Sequence, residues 1–274
     1  MGKKGNLLYN GDFETGTTEG WENNMYGMGG DLELSVTQEQ KYYGDYAGKL
    51  VATKDYAYSY VGYDAVCSFE ENEAFLFTLP VKLQNNFHAS GMLYGLDDKL
   101  NLLKYFALGW VMPSTCWRTV KGILRGFGEV THFKVGCYVL LENEGDVAYI
   151  DEAKLIPLRS VRGHELAEFR KFNNISSSFT WYSVLFCIGN CKVRSIVNVR
   201  SVEGTNPALN IKLTIGLLDD VYTYYMLEHT EFNDVGIEEK TIDVAEVGYI
   251  KIDYLVEGTS PLFNVNHHIR IEPK

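Results

Sequence analysis

The stretch ALNIKLTIGLL (208–218) alternates without a break: Leu209, Ile211, Leu213, Ile215 and Leu217 fall on one side of an extended chain. FNVNHHIRIEP (263–273) repeats the pattern, with Phe263, Val265, His267, Ile269 and Ile271 set against Asn264, Asn266, His268, Arg270 and Glu272. A period of two means half-buried antiparallel strands. Segments 73–83, 132–141 and 146–156 predict further strands in the first half. Helical spacing is confined to GHELAEFRKF (163–172), a short candidate helix at a presumed domain junction. Turn residues punctuate the rest, and VEGTNP (202–207) and VEGTSP (256–261) predict two similar loops. Many short strands, one short helix and Pro157 ending a strand predict an all-β chain. Two tandem antiparallel β-sandwiches are expected, over residues 1–158 and 159–274.

Composition supports that architecture. The 274 residues suit two domains, and 14 % aromatic content, with 19 Tyr and 14 Phe, favours pleated sheet. The formal net charge is −11, of which −8 lies in residues 1–158. Acidic character without a basic stripe excludes nucleic acid and anionic membrane surfaces as partners. No apolar run is long enough to predict a membrane span, and the N-terminal residues do not resemble a secretory signal. His267, on an apolar face, predicts a satisfied core histidine; His268, on the opposite face, titrates near neutrality if exposed.

Four segments carry a family resemblance. NLLYNGDFETGTTEGW (6–21) opens the chain, YYGDYAGKLVAT (42–53) follows, CWRTVKGIL (116–124) comes late and GDVAYIDEAKLIP (145–157) closes the first half. In this order and spacing they resemble carbohydrate-binding modules of the galactose-binding-like jelly-roll group, over residues 5–158. The resemblance implies a jelly roll for the first sandwich, with its first and last strands side by side. It also implies a structural calcium held by Asp12, Glu14 and Asp151, with carbonyls from Gly44 and Lys49. Carboxylates brought this close repel unless a cation joins them, and calcium takes six to eight oxygens. The alternative is that Asp12 caps a turn, Glu14 pairs with a lysine and Asp151 is solvated.

Sugar binding in that group needs exposed aromatic faces and polar partners for hydroxyls. The candidates are Tyr26, Tyr58, Tyr60, Tyr94 and Trp110, with Tyr56 and Tyr105 beside them, and Asn85, Asn86 and His88 as polar partners. Trp21 and Trp117 resemble the group's core aromatics. A chain so rich in tyrosine places the residue everywhere, so YAYSYVGY also fits simple filling of one strand face. The second half resembles a β-sandwich family of unknown function from spore-forming Gram-positive bacteria, through FTWYSVLFCIGNCKVRSIVNVRSVEGTNPALNI and VGYIKIDYLVEGTS.

Cys67, Cys116, Cys137, Cys187 and Cys191 are odd in number, which leaves at least one thiol for an interchain bridge. The C-x3-C pair Cys187/Cys191 fits a metal pair, two buried thiols or a small-loop disulfide. No nucleophile elbow, zincin motif or phosphate-binding loop is present, so a non-catalytic protein is expected. These features point to a self-associating structural or adhesive protein of a cell or spore surface, such as a coat or appendage subunit, contacting its own copies or other surface proteins. The alternative is a glycan-binding protein that recognises a polysaccharide.

Overall fold

The structure is a computed structural model that describes residues 6–69, 73–84, 87–114, 116–126, 128–158, 165–217 and 224–274. The chain divides into two compact units, Met1–Ser160 and Val161–Lys274. The described residues form antiparallel sheet throughout and hold no α-helix.

The first unit contains β1 (Trp21–Glu22), β2 (Leu32–Thr37), β3 (Ala47–Ala52), β4 (Ala57–Tyr63), β5 (Cys67–Ser68) and β6 (Ala74–Leu83). It continues with β7 (Phe87–Leu96), β8 (Leu102–Val111), β9 (Arg118–Arg125), β10 (His132–Leu141), β11 (Val147–Ile150) and β12 (Lys154–Leu158). One sheet runs β1-β4-β10-β7-β8, with β5 beside β10; the other runs β9-β6-β11-β3-β2, with β12 also on β6. The segment expected as one strand over 146–156 is two, because residues 151–153 leave the ladder. Inward residues alternate along each strand. Val61, Leu93, Cys137 and Val139 come from the first sheet, and Leu50, Phe77, Leu79 and Ile123 from the second, all fully buried. Gly91 marks a close approach, since a Cβ there would lie 2.9 Å from Val120 and 3.2 Å from Phe77. This is the expected jelly-roll sandwich.

The second unit contains β13 (Leu166–Ile175), β14 (Phe179–Tyr182), β15 (Leu185–Cys187), β16 (Cys191–Gly216), β17 (Tyr224–Glu228), β18 (Gly236–Val244) and β19 (Tyr249–Pro273). The expected helix over 163–172 is a strand from Leu166 onward; residues 163 and 164 lie outside the described set. Its alternation was disguised by Glu168, a charged residue on the buried face. Glu168 accepts hydrogen bonds from Ser183 Oγ (2.8 Å) and the Val184 amide (3.1 Å) and pairs with Arg170 at 2.9 Å.

β16 and β19, of 26 and 25 residues, pair along nearly their whole length. β13 and β18 flank one half of this ribbon, and β14 and β17 the other. VEGTNP and VEGTSP are therefore not loops. They face each other inside the two long strands, where the register shifts. Gly204 (φ +113°) and Gly258 (φ +114°) perform the same task on the two strands. A Cβ at Gly204 would lie 2.7 Å from the Ser260 carbonyl oxygen, and one at Gly258 2.6 Å from that of Asn206. The likeness of the two segments is thus a local two-fold relation, with a bulge crossing a bulge.

His267 is buried and satisfied, as expected. Its Nδ1 lies 2.6 Å from Tyr254 Oη and its Nε2 2.8 Å from Ser195 Oγ; Ser195 is 2.8 Å from His229 Nε2, and His229 Nδ1 is 2.9 Å from Glu238. Because ionised Glu238 only accepts, one proton order satisfies the chain: Tyr254 donates to His267, His267 to Ser195, Ser195 to His229 and His229 to Glu238. Burial drives His229 down and His267 down to about 3, so both rings are neutral, as that order requires. His268 is half-buried rather than exposed, and it also lies below its ordinary value, first through that burial and then through Arg270.

The unfolded chain takes up a proton on His267 below about pH 6.5 that the folded one refuses until about 3. Stability of the second unit is therefore expected to fall as pH drops through that window. Replacing Ser195 by Ala strands two imidazole nitrogens and should cost about 3 kcal/mol in urea unfolding at pH 7. A loss within about 0.5 kcal/mol would mean that the chain of bonds is incidental.

Candidate functional site

The opening segment lies against the end of the first unit, as the resemblance implies. The Leu7 amide donates to the Leu155 carbonyl (2.9 Å) and the Ala153 amide to that of Gly11 (2.8 Å). A Cβ at Gly11 would meet the Ala153 oxygen at 2.3 Å, so this approach requires glycine. Asn10 folds the turn by donating to the Thr17 and Glu19 carbonyls, and Phe13 stacks on buried Trp21 at 5.2 Å. Trp117, the other expected core ring, is half-buried and meets Tyr42 edge-on at 5.8 Å.

From these two segments Glu14 and Asp151 grip one loop. Glu14 Oε1 accepts from the amides of Asp45 (2.8 Å) and Tyr46 (2.9 Å). Asp151 Oδ2 accepts from those of Tyr42 (2.8 Å) and Tyr43 (3.0 Å), and Oδ1 from that of Glu152 (2.6 Å). Gly44, at φ +76°, lies between these amides, and a Cβ there would sit 2.3 Å from Glu14 Oε1. Asp12 Oδ1 accepts from the Glu14 amide at 3.4 Å, within its own turn. Lys49 is internal to β3, with strands on both sides, and its ammonium pairs with Glu39 at 2.8 Å.

This donor set does not fit the calcium that the resemblance implies. The bonded carboxylate oxygens face N–H groups, whose positive ends repel a cation, where calcium needs a shell of oxygen ligands. Among the described residues, no three His, Cys, Asp or Glu side chains stand together as a metal site. The same holds for a metal at Cys187 and Cys191. Both are buried, and no disulfide joins any pair of the five cysteines.

The second cluster lies on the outer face of the β1-β4-β10-β7-β8 sheet. Its register sets residues of neighbouring strands in rows. Tyr60, Tyr138, Ser90 and Trp110 form one row, and Tyr58, Leu140 and His88 a second. Gly62, Gly136, Met92 and Ala107 form a third, and Lys134, Tyr94 and Tyr105 a fourth. Tyr58, Tyr60 and Tyr138 stay within 4.9–6.4 Å of one another, and Tyr105 lies 5.5 Å from Tyr60. His88 packs edge-on against Trp110 at 4.7 Å.

The loop that joins β1 to β2 leaves the sheet edge and crosses this face. It returns to the edge where Gly29 bridges Ser59 and the Asp31 amide donates to the Tyr58 carbonyl. Met25 drops into the small-residue row: a Cβ at Gly62 would meet its Cγ at 2.4 Å. Met25, Met92 and Tyr94 form a buried cluster, with Met28, Tyr60, Leu102, Ala107 and Tyr138 against it. The loop thereby halves the face. What remains open is a groove of about 490 Å³, lined by Gly27, Met28, Gly29, Tyr58, Tyr60, Tyr105 and Tyr138.

The loop is held by a narrow margin. Burying Met25 contributes about 2 kcal/mol. Against this, Asn24 (φ 65°) and Tyr26 (φ 54°) take left-handed backbone, at about 1 kcal/mol each. Tyr94 is fully buried beneath the loop, and among the described residues its hydroxyl has no hydrogen-bond partner, which costs about 1–3 kcal/mol.

The structure thus brings Tyr58, Tyr60, His88 and Trp110 onto one face as candidate sugar contacts. The ring of Tyr94 lies beneath the loop, and Tyr26 belongs to that loop, on Tyr94 at 5.8 Å with Lys134 beyond it. Tyr56 is exposed and meets Phe87 at 6.0 Å, away from the groove lining. Asn85 and Asn86 lie outside the described residues. Tyr138 was missed by sequence reasoning; its signal was the alternation of β10, which turns it away from buried Cys137 and Val139.

No family model and no curated protein matches the chain. Accordingly, no match supports the likeness of the second half to a family from spore-forming bacteria. Among solved structures, the tandem CBM22-1–CBM22-2 domain of Paenibacillus barcinonensis Xyn10C aligns over 98 % of this chain and 98 % of its own, at 15 % identity and TM-score 0.41. TmCBM61 in complex with beta-1,4-galactotriose aligns over 56 % of this chain and 99 % of its own, at 14 % identity and TM-score 0.41. A family 16 carbohydrate binding module aligns over 55 % and 99 %, at 20 % identity and TM-score 0.39. These three solved structures are carbohydrate-binding modules; a bacteriophage CBA120 tailspike enzymatically active domain also aligns, over 56 % of this chain and 22 % of its own, at 11 % identity and TM-score 0.44.

Burial, outweighing three amide donors, holds the Asp151 carboxyl up at about 6. The folded first unit therefore keeps a proton between about pH 4 and 6 that the unfolded chain releases. This group's contribution to stability should grow as pH falls through that window and vanish in Asp151→Asn; a carbon-detected titration of Asp151 reads the midpoint directly. Glu14→Ala should cost about 2–3 kcal/mol. A chelator should leave the melting temperature of wild type unchanged. A drop of several degrees, reversed by calcium, would put a cation back in the clamp.

Proposed function

We propose that the first unit is a non-catalytic glycan-binding module that holds a neutral polysaccharide in the tyrosine groove. One observation carries this reading: Tyr58 and Tyr60 of β4, Tyr105 of β8 and Tyr138 of β10 converge on one groove whose lining has no charged side chain. Phenol rings offer apolar faces to the C–H surface of a sugar and hydroxyls to its polar rim. A rigid ring loses little conformational freedom on binding, so four of them suit a ligand that offers many weak contacts. The acidic balance of residues 1–158 disfavours uronate- or sulfate-bearing chains.

The site keeps one charge state across the neutral range. Burial first, then neighbouring Tyr105, pushes the Tyr60 phenol up to about 12; burial also raises Tyr138 and lowers His88. Binding should therefore be flat between about pH 7 and 9.

Calorimetry with neutral β-glucans, xylans and galactans tests the reading. Tyr60→Ala and Tyr138→Ala should each weaken binding about tenfold or more, and Tyr56→Ala should leave it unchanged. Flat heats for all three glycans, or equal loss in Tyr56→Ala, would remove the groove as the site.

A self-associating surface subunit is the second reading, favoured by the exposed Cys116 and partly exposed Cys67. Cys137, Cys187 and Cys191 are buried, so cross-linking in the folded state would fall to the first two. Oxidised wild type should then run as covalent dimers or larger species that the combined Cys67→Ser and Cys116→Ser variant abolishes; a monomer under oxidising conditions sinks this reading.

A further inference from the structure

Resting on the glycan-binding reading, we propose that the loop over residues 24–28 is a displaceable lid. It covers an extension of the groove, a trough floored by Gly62 and Met92 and ending at Tyr94, which a longer glycan chain opens and fills.

Four independent features converge on it. The first is the orphaned hydroxyl. Tyr94 is sealed from solvent, yet among the described residues its Oη has no partner, a state that a sugar hydroxyl would relieve. The second is the floor. Gly62 and Gly136 are paired positions of β4 and β10, next to the Tyr60–Tyr138 pair. The space over Gly62 is taken by Met25, whereas a Cβ at Gly136 would meet the neighbouring β4 backbone, with the Val61 oxygen at 2.1 Å.

The third is the material of the lid. Beside the Tyr26 ring on Tyr94, it contributes two thioethers, Met25 within the Met92–Tyr94 cluster and Met28 against that cluster, and such side chains repack without a fixed geometry. The fourth is the backbone. Asn24, Tyr26 and Gly27 are left-handed within the loop, and Gly29 and Gly30, also left-handed, stand where it rejoins the sheet. Its internal bonds are two short-range ones, from the Gly27 amide to the Asn24 carbonyl (3.0 Å) and from the Met28 amide to that of Met25 (3.0 Å). The flanking anchors at Glu22–Gly62 and Gly29–Ser59 are sheet pairings, and the Met28 carbonyl, which accepts from the Tyr60 amide at 3.3 Å, ties the last residue of the lid to β4 as its hinge. Gly27, Met28 and Gly29 line the open groove, so a bound chain already touches the lid.

Charged side chains stand at the border of the covered trough. Glu22 pairs with Gly62 across β1 and β4, and Lys134 pairs with Asp64 (3.0 Å) and lies 5.9 Å from the Tyr26 ring centre. The trough would accept the same neutral chain as the open groove, with Tyr94 Oη as its one directional polar contact.

A ladder of neutral β-linked oligosaccharides, from disaccharide to hexasaccharide, tests this by calorimetry on the full chain. Affinity should rise as the groove fills and rise again once the chain reaches the trough. Met25→Ser loosens the latch and should tighten the longest ligand about tenfold, leaving the shortest unchanged. Tyr94→Phe removes the orphan. It should raise the melting temperature and weaken the longest ligand alone. Equal effects on short and long ligands, or none, overturn the lid while leaving the groove reading intact.

If wild type binds no glycan, the groove reading falls and hydrogen exchange still decides the lid. Amides 25–28 should then exchange through a local opening that Tyr94→Phe slows. Exchange of those amides only with global unfolding rules the lid out.

Discussion

Two carboxylates gripping the backbone of one loop are what the first unit depends on. Glu14 arrives from the opening turn and Asp151 from the strand end near residue 150, and between them they take four amides of residues 42–46. A charge-assisted bond to a backbone amide is about twice as strong as a neutral one, and here each carboxylate makes more than one. The clamp joins segments more than a hundred residues apart and fixes where β3 begins. That strand pairs with both β2 and β11, so its position sets one edge of the second sheet. The chemistry is the inverse of a cation site. Amides offer hydrogen where a metal needs oxygen, and the fold is closed by anion-to-dipole contacts.

The opposite sheet uses glycine in place of charge. Gly62 lowers the outer face enough for Met25 to sink in, and this decides which tyrosines remain open. The groove is thus defined as much by what the loop covers as by what lines it. Tyr94 and Tyr105 occupy paired positions on adjacent strands, yet one is buried and the other exposed. Tyr94 lies on an inner strand beneath the loop, and Tyr105 on the edge strand.

The second unit relies on a different device. Its two longest strands cross at matched bulges, and its interior carries a directed chain of hydrogen bonds from Tyr254 to Glu238. Such a network specifies a unique packing only while both imidazoles are neutral. Asp151 of the first unit and His267 of the second therefore answer acid in opposite directions. Asp151 takes up a proton in the folded first unit before the unfolded chain does, and His267 refuses one that the unfolded chain accepts.

Strand class, sandwich architecture and the nearness of the first and last segments of unit one were legible in the chain itself. Alternation at 208–218 and 263–273 reports a local property, the two-sided environment of a strand, and local sequence suffices for it. The quoted motifs likewise carried Glu14, Gly44 and Asp151 to a single place. Their partners were not legible, because amide and carbonyl belong to every residue and only the course of the loop shows which one faces the carboxylate. Glu168 hid a strand as a helix because its burial depends on Arg170 and Ser183, neither of which can be assigned to it before the sheet forms. VEGTNP and VEGTSP looked like loops because glycine and proline usually break strands, and only their pairing turns both into one bulged crossing. The groove was the least visible of all. Tyr58, Tyr60, Tyr105 and Tyr138 lie on three strands, and register across those strands, with a loop laid over the neighbouring row, decides which of 19 tyrosines share a surface.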